Sequence, residues 1–215
     1  MWTLDSAAGT AKNARDDTST MAVLPVFGKI PNADELSLDK VLSSDKLNDI
    51  INSLECGIGE DFDIEKLRYH KIIILSDADV DGWHISTLYL TFFYRFMRPL
   101  LENGYVYLSC PPLYKITINP KSKNPEIKFA ITDKELHEII NSLDKPYEIL
   151  QLKGLGEMSA EELWISTMNP ETRTLIQVNI DNIEESENTI NMCMNKNAVS
   201  VRKQFIMNGE SYEIV

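Results

Sequence analysis

The run Lys71-Ile72-Ile73-Ile74-Leu75-Ser76 leads without a break into Asp77-Ala78-Asp79-Val80-Asp81-Gly82, and no other stretch constrains the chain as tightly. An aliphatic run with no polar alternation suits a strand buried on both faces, which implies a parallel sheet covered by helices. The flanking sequence agrees. Residues 21–26 (MAVLPV), 104–109 (GYVYLS) and 147–152 (YEILQL) read as further short strands, and residues 36–51 and 82–97 carry helical spacing. The second helical segment places Ile85, Leu88, Phe92, Phe93 and Phe96 on one side. The alternation predicts an α/β fold with a parallel sheet flanked by helices.

Pro99, Asn103-Gly104 and Pro111-Pro112 punctuate the end of this unit. Beyond it the pattern changes to that of an α+β subdomain. YKITI and EIKFAI flank a polar loop and read as a hairpin, and Thr132 with Glu135 three residues later opens a helix. Ser159 and Glu162 repeat the capping-box spacing, and the last forty residues predict two more helices. The expected organisation is one domain over 1–113 and a tail subdomain over 114–215.

Composition narrows the function. With 215 residues, 43% hydrophobic and 25% charged, the chain falls in the ordinary globular range. There is no apolar run long enough for a membrane span and no basic-then-apolar leader, so a cytoplasmic location with no membrane partner is expected. Cys56, Cys110 and Cys193 are odd in number and lie outside any CxxC pattern, so buried apolar thiols are expected rather than disulfides or a zinc site. A formal charge of −12 argues against wrapping nucleic acid by charge alone. DNA contact would need metal ions or a basic partner.

Asp-x-Asp-x-Asp-Gly also opens a calcium-binding EF-hand loop, but that loop needs a bidentate acid at its twelfth position and a preceding helix. Counted from Asp77 the twelfth residue is Leu88, and the preceding run is β-branched. Calcium therefore fails both requirements. In an extended chain Asp77, Asp79 and Asp81 would share a face just past the carboxyl edge of the strand, where open parallel sheets place ligands. Carboxylates so close repel unless a cation compensates them, and all-oxygen donors favour Mg2+. The alternative is a solvated turn in which Asp81 or Ser76 caps the following helix.

The residues SDADVDGWHISTLYLTFFYRFMRPLLENGYVYLSCPPLYK, with LDSAAGTAKNARD, PVFGK and KGLGEMSAEELWISTMNPETRTL, resemble the Toprim-containing C-terminal half of the B subunit of bacterial type IIA DNA topoisomerases, that is, of gyrase or topoisomerase IV. The match runs nearly the whole chain in the family's order. It implies a Rossmann-like Toprim domain followed by the tail. It also implies a Mg2+ site of Asp77 and Asp79 with Asp81 as the third, supporting aspartate, and DNA-facing positions at Lys12, Arg15, Lys29, His84 and Lys153. Gly154 and Gly156 would permit a tight turn. For His84 and the two glycines, purely structural roles account for the residues equally well. The implied partners are double-stranded DNA and the topoisomerase A subunit in an A2B2 heterotetramer, with ATP used by a domain preceding residue 1. The attacking tyrosine belongs to the A subunit. Tyr89, Tyr94, Tyr105 and Tyr107 sit in apolar segments and read as core.

Departures from the family pattern matter as much. The family's EGDSAGG motif begins with a glutamate that serves as metal ligand and acid/base, and Thr3 stands in its place. A threonine hydroxyl cannot replace an ionised carboxylate. Either the chain is cut inside its own motif or the substitution is natural, with Asp5 the nearest surviving acid. Asp17, Ser86, Phe27 and Gln151 stand where the family usually has cations, which predicts weakened or relocated DNA contact. Trp83, where alanine is usual, is expected to pack into the sheet, with a place near DNA as the alternative. Two functions follow from the resemblance. One is the Mg2+-binding part of an ATP-driven enzyme that cleaves and religates double-stranded DNA with the A subunit, inactive as a fragment. The other is a non-catalytic assembly module of the same fold. The sequence does not separate gyrase from topoisomerase IV.

Overall fold

A computed structural model describes residues 2–3, 5–26 and 28–208, with side chains described from residue 8 onward apart from Phe27. In chain order the elements begin with strand β1 (Trp2–Thr3), helix α1 (Asp5–Ala14) and β2 (Leu24–Pro25). Helices α2 (Leu38–Leu42) and α3 (Asp45–Leu54) follow, then β3 (Ile72–Ile74), α4 (Val80–Phe96), α5 (Pro99–Glu102) and β4 (Val106–Ser109). Next come β5 (Tyr114–Ile118), β6 (Glu126–Ala130), α6 (Asp133–Asn141), β7 (Tyr147–Gln151) and α7 (Ala160–Leu163), which runs on as a π-helical turn over Trp164–Met168. The chain closes with β8 (Leu175–Gln177), α8 (Ile183–Met194) and α9 (Val199–Met207). Contacts divide these elements into two compact units: 1–29, 71–86 and 106–177 form the first, and 30–70, 87–105 and 178–215 the second.

The first unit holds two sheets. One has five strands in the order β2-β1-β3-β4-β8, parallel except for the β4–β8 pair. β3 is central, and Ile72, Ile73 and Ile74 are all buried, as an unalternating aliphatic run requires. The Ser109 hydroxyl donates to the Ile74 carbonyl at 3.1 Å and ties the two central strands together. The α/β prediction therefore holds.

The second sheet is the antiparallel trio β6-β5-β7. Its β5–β6 hairpin is the predicted one, and α6 covers one face through Ile116, Ile118, Ala130 and Leu136. Thr132 caps α6 by accepting the Glu135 amide at 3.2 Å, while the Glu135 carboxylate reaches back to the Ile131 amide at 2.7 Å. Ser159 and Glu162 close a full capping box on α7. The YEILQ strand is corrected in its partner: β7 pairs with β5 antiparallel and does not join the parallel sheet.

In the second unit the expected single helix over 36–51 is two. Ser44 adopts an extended conformation (φ −91°, ψ 113°) and starts α3 afresh, because an N-cap residue leaves helical geometry. Leu47, Ile50, Leu54, Phe92, Phe93, Met97 and Leu100 are fully buried there. The two predicted C-terminal helices are α8 and α9. Among the thiols only Cys56 is buried; Cys110 is half-buried and Cys193 exposed, and all three are free. Tyr89 and Tyr94 are buried as expected, whereas Tyr105 and Tyr107 are half-buried. The Tyr107 oxygen accepts from the Gln177 side-chain amide at 3.0 Å, a partner at the strand edge that a core position would lack. Among the described residues no helix is long and apolar enough to cross a membrane.

Candidate metal and phosphate site

The strand-to-helix junction after β3 lies in the first unit and brings two of the three aspartates to one place. Strand β3 ends at Ile74, the chain bends at Ala78-Asp79, and Val80 is already helical. Asp79 therefore caps α4, its Oδ1 accepting the Gly82 amide at 2.7 Å. This capping role falls to Asp79 and not to Asp81 or Ser76. Ser76 instead shares a buried hydroxyl–hydroxyl hydrogen bond of 2.9 Å with Ser86, so Ser86 is an internal tether between strand end and helix. Gly82 is required by contact: a Cβ there would stand 1.9 Å from the Asp77 carbonyl oxygen.

Asp77 is held from above by the turn Lys153–Glu157. Its Oδ1 accepts the Leu155 amide at 2.7 Å, and a Cβ on Gly154 would lie 3.1 Å from that same oxygen. The absence of a side chain at Gly154 thus lets the turn settle on the carboxylate. The Glu157 carboxylate closes the turn by accepting the Lys153 amide at 3.0 Å. Below lies an apolar floor of Leu75, Leu152, Leu155 and Met158 with Ala11 and Ala14 of α1. Burial against this floor pushes the Asp77 carboxyl above the usual carboxylate range, and the nearby charges of Asp79 and Glu157 add to the rise against the Leu155 amide. Glu157 was missed in the sequence, where KGLGE showed its glycines more plainly than its acid.

Asp81 occupies the first turn of α4, where it is exposed and paired with Lys29 at 2.8 Å. The Lys29 ammonium also lies 3.1 Å from His84 Nδ1. Hydrogen bonding to Lys29 holds the Asp81 carboxyl below its usual range. Lys29 therefore touches both Asp81 and His84, but the extended i, i+2, i+4 face on which all three aspartates would converge does not form, because the chain bends at 78–79 and is helical from Val80.

The other expected positions scatter in role. Lys12 is exposed on the last turn of α1. Arg15 spends its guanidinium on the carbonyls of Lys12 at 3.2 Å and Met21 at 3.1 Å, pinning the loop after α1. Lys153 and Gln151 are exposed. Asp17 closes its own turn with Ser19 and Thr20, hydrogen bonds that lower its carboxyl. Trp83 is 40% exposed and does not pack inward, because it follows the buried Gly82 onto the outer face of α4. Thr3 lies in β1, whose Trp2 pairs with Ile74, so position 3 sits in the strand beside β3. The side chains of Thr3 and Asp5, and all of Phe27, fall outside the described residues.

The donor set fits a hard divalent cation. Asp77 and Asp79 each commit Oδ1 to a backbone amide, which fixes their orientation and leaves Oδ2 to face another partner. Among the described residues no group of three acids, histidines or cysteines stands ready around one point. One or two carboxylates completed by water and phosphate oxygens is the usual arrangement for Mg2+.

Residues 5–111 match the Toprim domain family, and residues 144–207 match the family described as DNA gyrase B subunit, carboxyl terminus. The chain is 46% identical over 210 residues to the DNA gyrase B subunit of Staphylococcus aureus, covering 97% of this chain and 32% of that protein. Against the DNA gyrase B subunit of Staphylococcus epidermidis the identity is 45% over the same length. The chain spans about a third of the length of the curated relatives it matches. It belongs to the gyrase B family, of which it carries a Toprim domain followed by the carboxyl-terminal domain.

Proposed function

We propose that this chain is the Mg2+-binding part of a type IIA topoisomerase B subunit, acting in the cytoplasm with an A subunit as an A2B2 assembly on double-stranded DNA. The observation that carries the reading is the Asp77–Asp79 pair, oriented by the Leu155 and Gly82 amides at the carboxyl end of a central parallel strand. On this reading the Toprim domain spans 1–113 and the tail 114–215, and the matched ranges 5–111 and 144–207 support the division. ATP would be used by a part of the protein that precedes these residues.

A divalent cation at this pair supplies charge stabilisation to the leaving 3′ oxygen and to a neighbouring phosphate. The chain's own residues orient it. Asp77 and Asp79 present Oδ2 from fixed backbone positions, and the Gly154 turn shields Asp77 on one side. Lys29 and Lys12 offer positive charge and hydrogen-bond donors to phosphate oxygens and His84 a ring nitrogen, with Lys153 beside the turn and Arg15 at the base of the loop. Asp81 supports from the first turn of α4.

Thr3 in β1 favours a second reading, an assembly module of the same fold without productive chemistry. One experiment separates the two: the full-length B subunit with glutamate restored at position 3, the A subunit and supercoiled DNA are assayed for Mg2+-dependent cleavage. Cleavage that disappears in Asp77→Asn or Asp79→Asn supports the first reading. Cleavage undiminished by either substitution removes the site assignment. If the restored complex does not cleave, the assembly module is the better account.

A further inference from the structure

We propose that the Lys29 ammonium is a built-in stand-in for a divalent cation at Asp81, and that a metal and Lys29 exchange there. The inference rests on the magnesium reading above and concerns this chain's own residues. An ammonium carries three donors and no acceptor. Two of the groups around it are a carboxylate oxygen at 2.8 Å and an imidazole nitrogen at 3.1 Å, an oxygen-and-nitrogen set that a cation also accepts. An ammonium can only donate, so in this pairing His84 Nδ1 is the acceptor. Asp81 and His84 stand three residues apart on the first turns of α4, so one cation reaches both. Gly28, at φ +68°, is the turn that delivers Lys29 to this face.

Asp77 and Asp79, by contrast, are held by backbone amides, with no lysine or arginine of the described residues hydrogen-bonded to either. The junction is thus divided into a pair that faces an external cation and a third aspartate occupied by an internal one. Lys29 is a positioning residue under this arrangement. While it holds Asp81, the third carboxylate is withheld from metal. Once a divalent cation takes Asp81, the ammonium is released toward the nearest anion, which on DNA is a phosphate oxygen. Metal loading and phosphate capture are coupled through one side chain.

The test is a Mn2+ titration of the chain followed by electron paramagnetic resonance of the free ion, in wild type, Lys29→Met, Asp81→Asn, the double variant and Lys71→Met. Lys71 sits at the far end of β3 and controls for the loss of one positive charge. Lys29→Met is expected to bind Mn2+ about two- to five-fold more tightly than wild type, the size of an exposed ion pair. Lys71→Met is expected to change affinity less, and Lys29→Met is expected to have no effect in the Asp81→Asn background. A gain in Lys29→Met no larger than in Lys71→Met, a gain that persists without Asp81, or no Mn2+ binding by either wild type or Lys29→Met overturns the proposal. The magnesium reading is judged separately in Asp77→Asn, where retained wild-type Mn2+ affinity would sink that reading and the exchange built on it, an outcome distinct from failure of the Lys29→Met comparison alone.

Discussion

Two charged clusters, one in each unit, show opposite ways of placing carboxylates. In the second unit Arg95 is surrounded by its partners: Asp34 at 2.6 Å, both oxygens of Glu187 at 2.8 Å and the Asn191 side chain at 3.2 Å. Arg95 also lies 5.4 Å from the Tyr94 ring, with Arg98 over the same ring at 4.4 Å. This cluster is closed, because its guanidinium fork is matched by acceptors and the Asp34 side chain is only 4% exposed. In the first unit Asp77 and Asp79 receive backbone amides and each other's repulsion. A carboxylate pair that the protein neutralises itself serves the fold. A pair that the protein orients but does not neutralise is one that a cation would compensate.

The sharpest way to break the contrast is to disturb the backbone of the open cluster. Gly82→Ala places a Cβ 1.9 Å from the Asp77 carbonyl, so the junction must shift; a loss of about 3 kcal/mol or more is expected in urea unfolding. Retention of wild-type stability would show that the junction gives way freely and that its geometry is not fixed. In the closed cluster, Arg95→Ala strands the nearly buried Asp34 and is expected to cost about 3 kcal/mol by the same assay. Glu187→Gln keeps one acceptor oxygen for the Arg95 guanidinium at a more exposed position and is expected to cost about 1 kcal/mol or less.

The smallest stability effect has the opposite sign. Asp77, raised in the fold by burial, opposes folding where it is ionised. That opposition is fully present above its folded pKa and vanishes below the unfolded one, so lowering the pH through this range relieves it. Asp77→Asn retains an acceptor for the Leu155 amide and removes the charge. It is expected to stabilise the chain at neutral pH by less than about 1 kcal/mol after solvent screening, and to lose the advantage in acid. Asp81 runs the other way: lowered by Lys29, it contributes stability above its unfolded pKa that is lost as pH falls through the folded value. Thermal melts of Asp77→Asn and Lys29→Met from pH 3 to 7 should therefore diverge in sign.

How far the sequence reached depends on how local the cause was. β3, α4, the hairpin, the Thr132 and Ser159 caps and the last two helices are set by patterns within a few residues, and each was legible. β7 is a strand as read, but its partner β5 is more than twenty residues away, and short alternating segments do not encode which sheet they join. β1 and β8 are two and three residues long, too short for any period to show, and exist because β3 and β4 offer them edges. The Ser43-Ser44 break was hidden inside a continuous helical pattern. At the site, the aspartates and the Gly154 turn were legible as motif, while their division between amides and Lys29 was not. That division depends on where α4 begins, since one turn of helix carries Asp81 off the face expected of an extended chain.

The difference between the two clusters can be read directly by titrating Mn2+ into uniformly 15N-labelled chain and mapping paramagnetic broadening of the backbone amides. Broadening that centres on residues 77–82 with Gly154 and Leu155, and that spares Asp34, Arg95 and Glu187, is the predicted result. Broadening concentrated at Asp34 and Glu187, or spread equally over both clusters, would contradict the claim that the strand-end pair is the one held open for a metal.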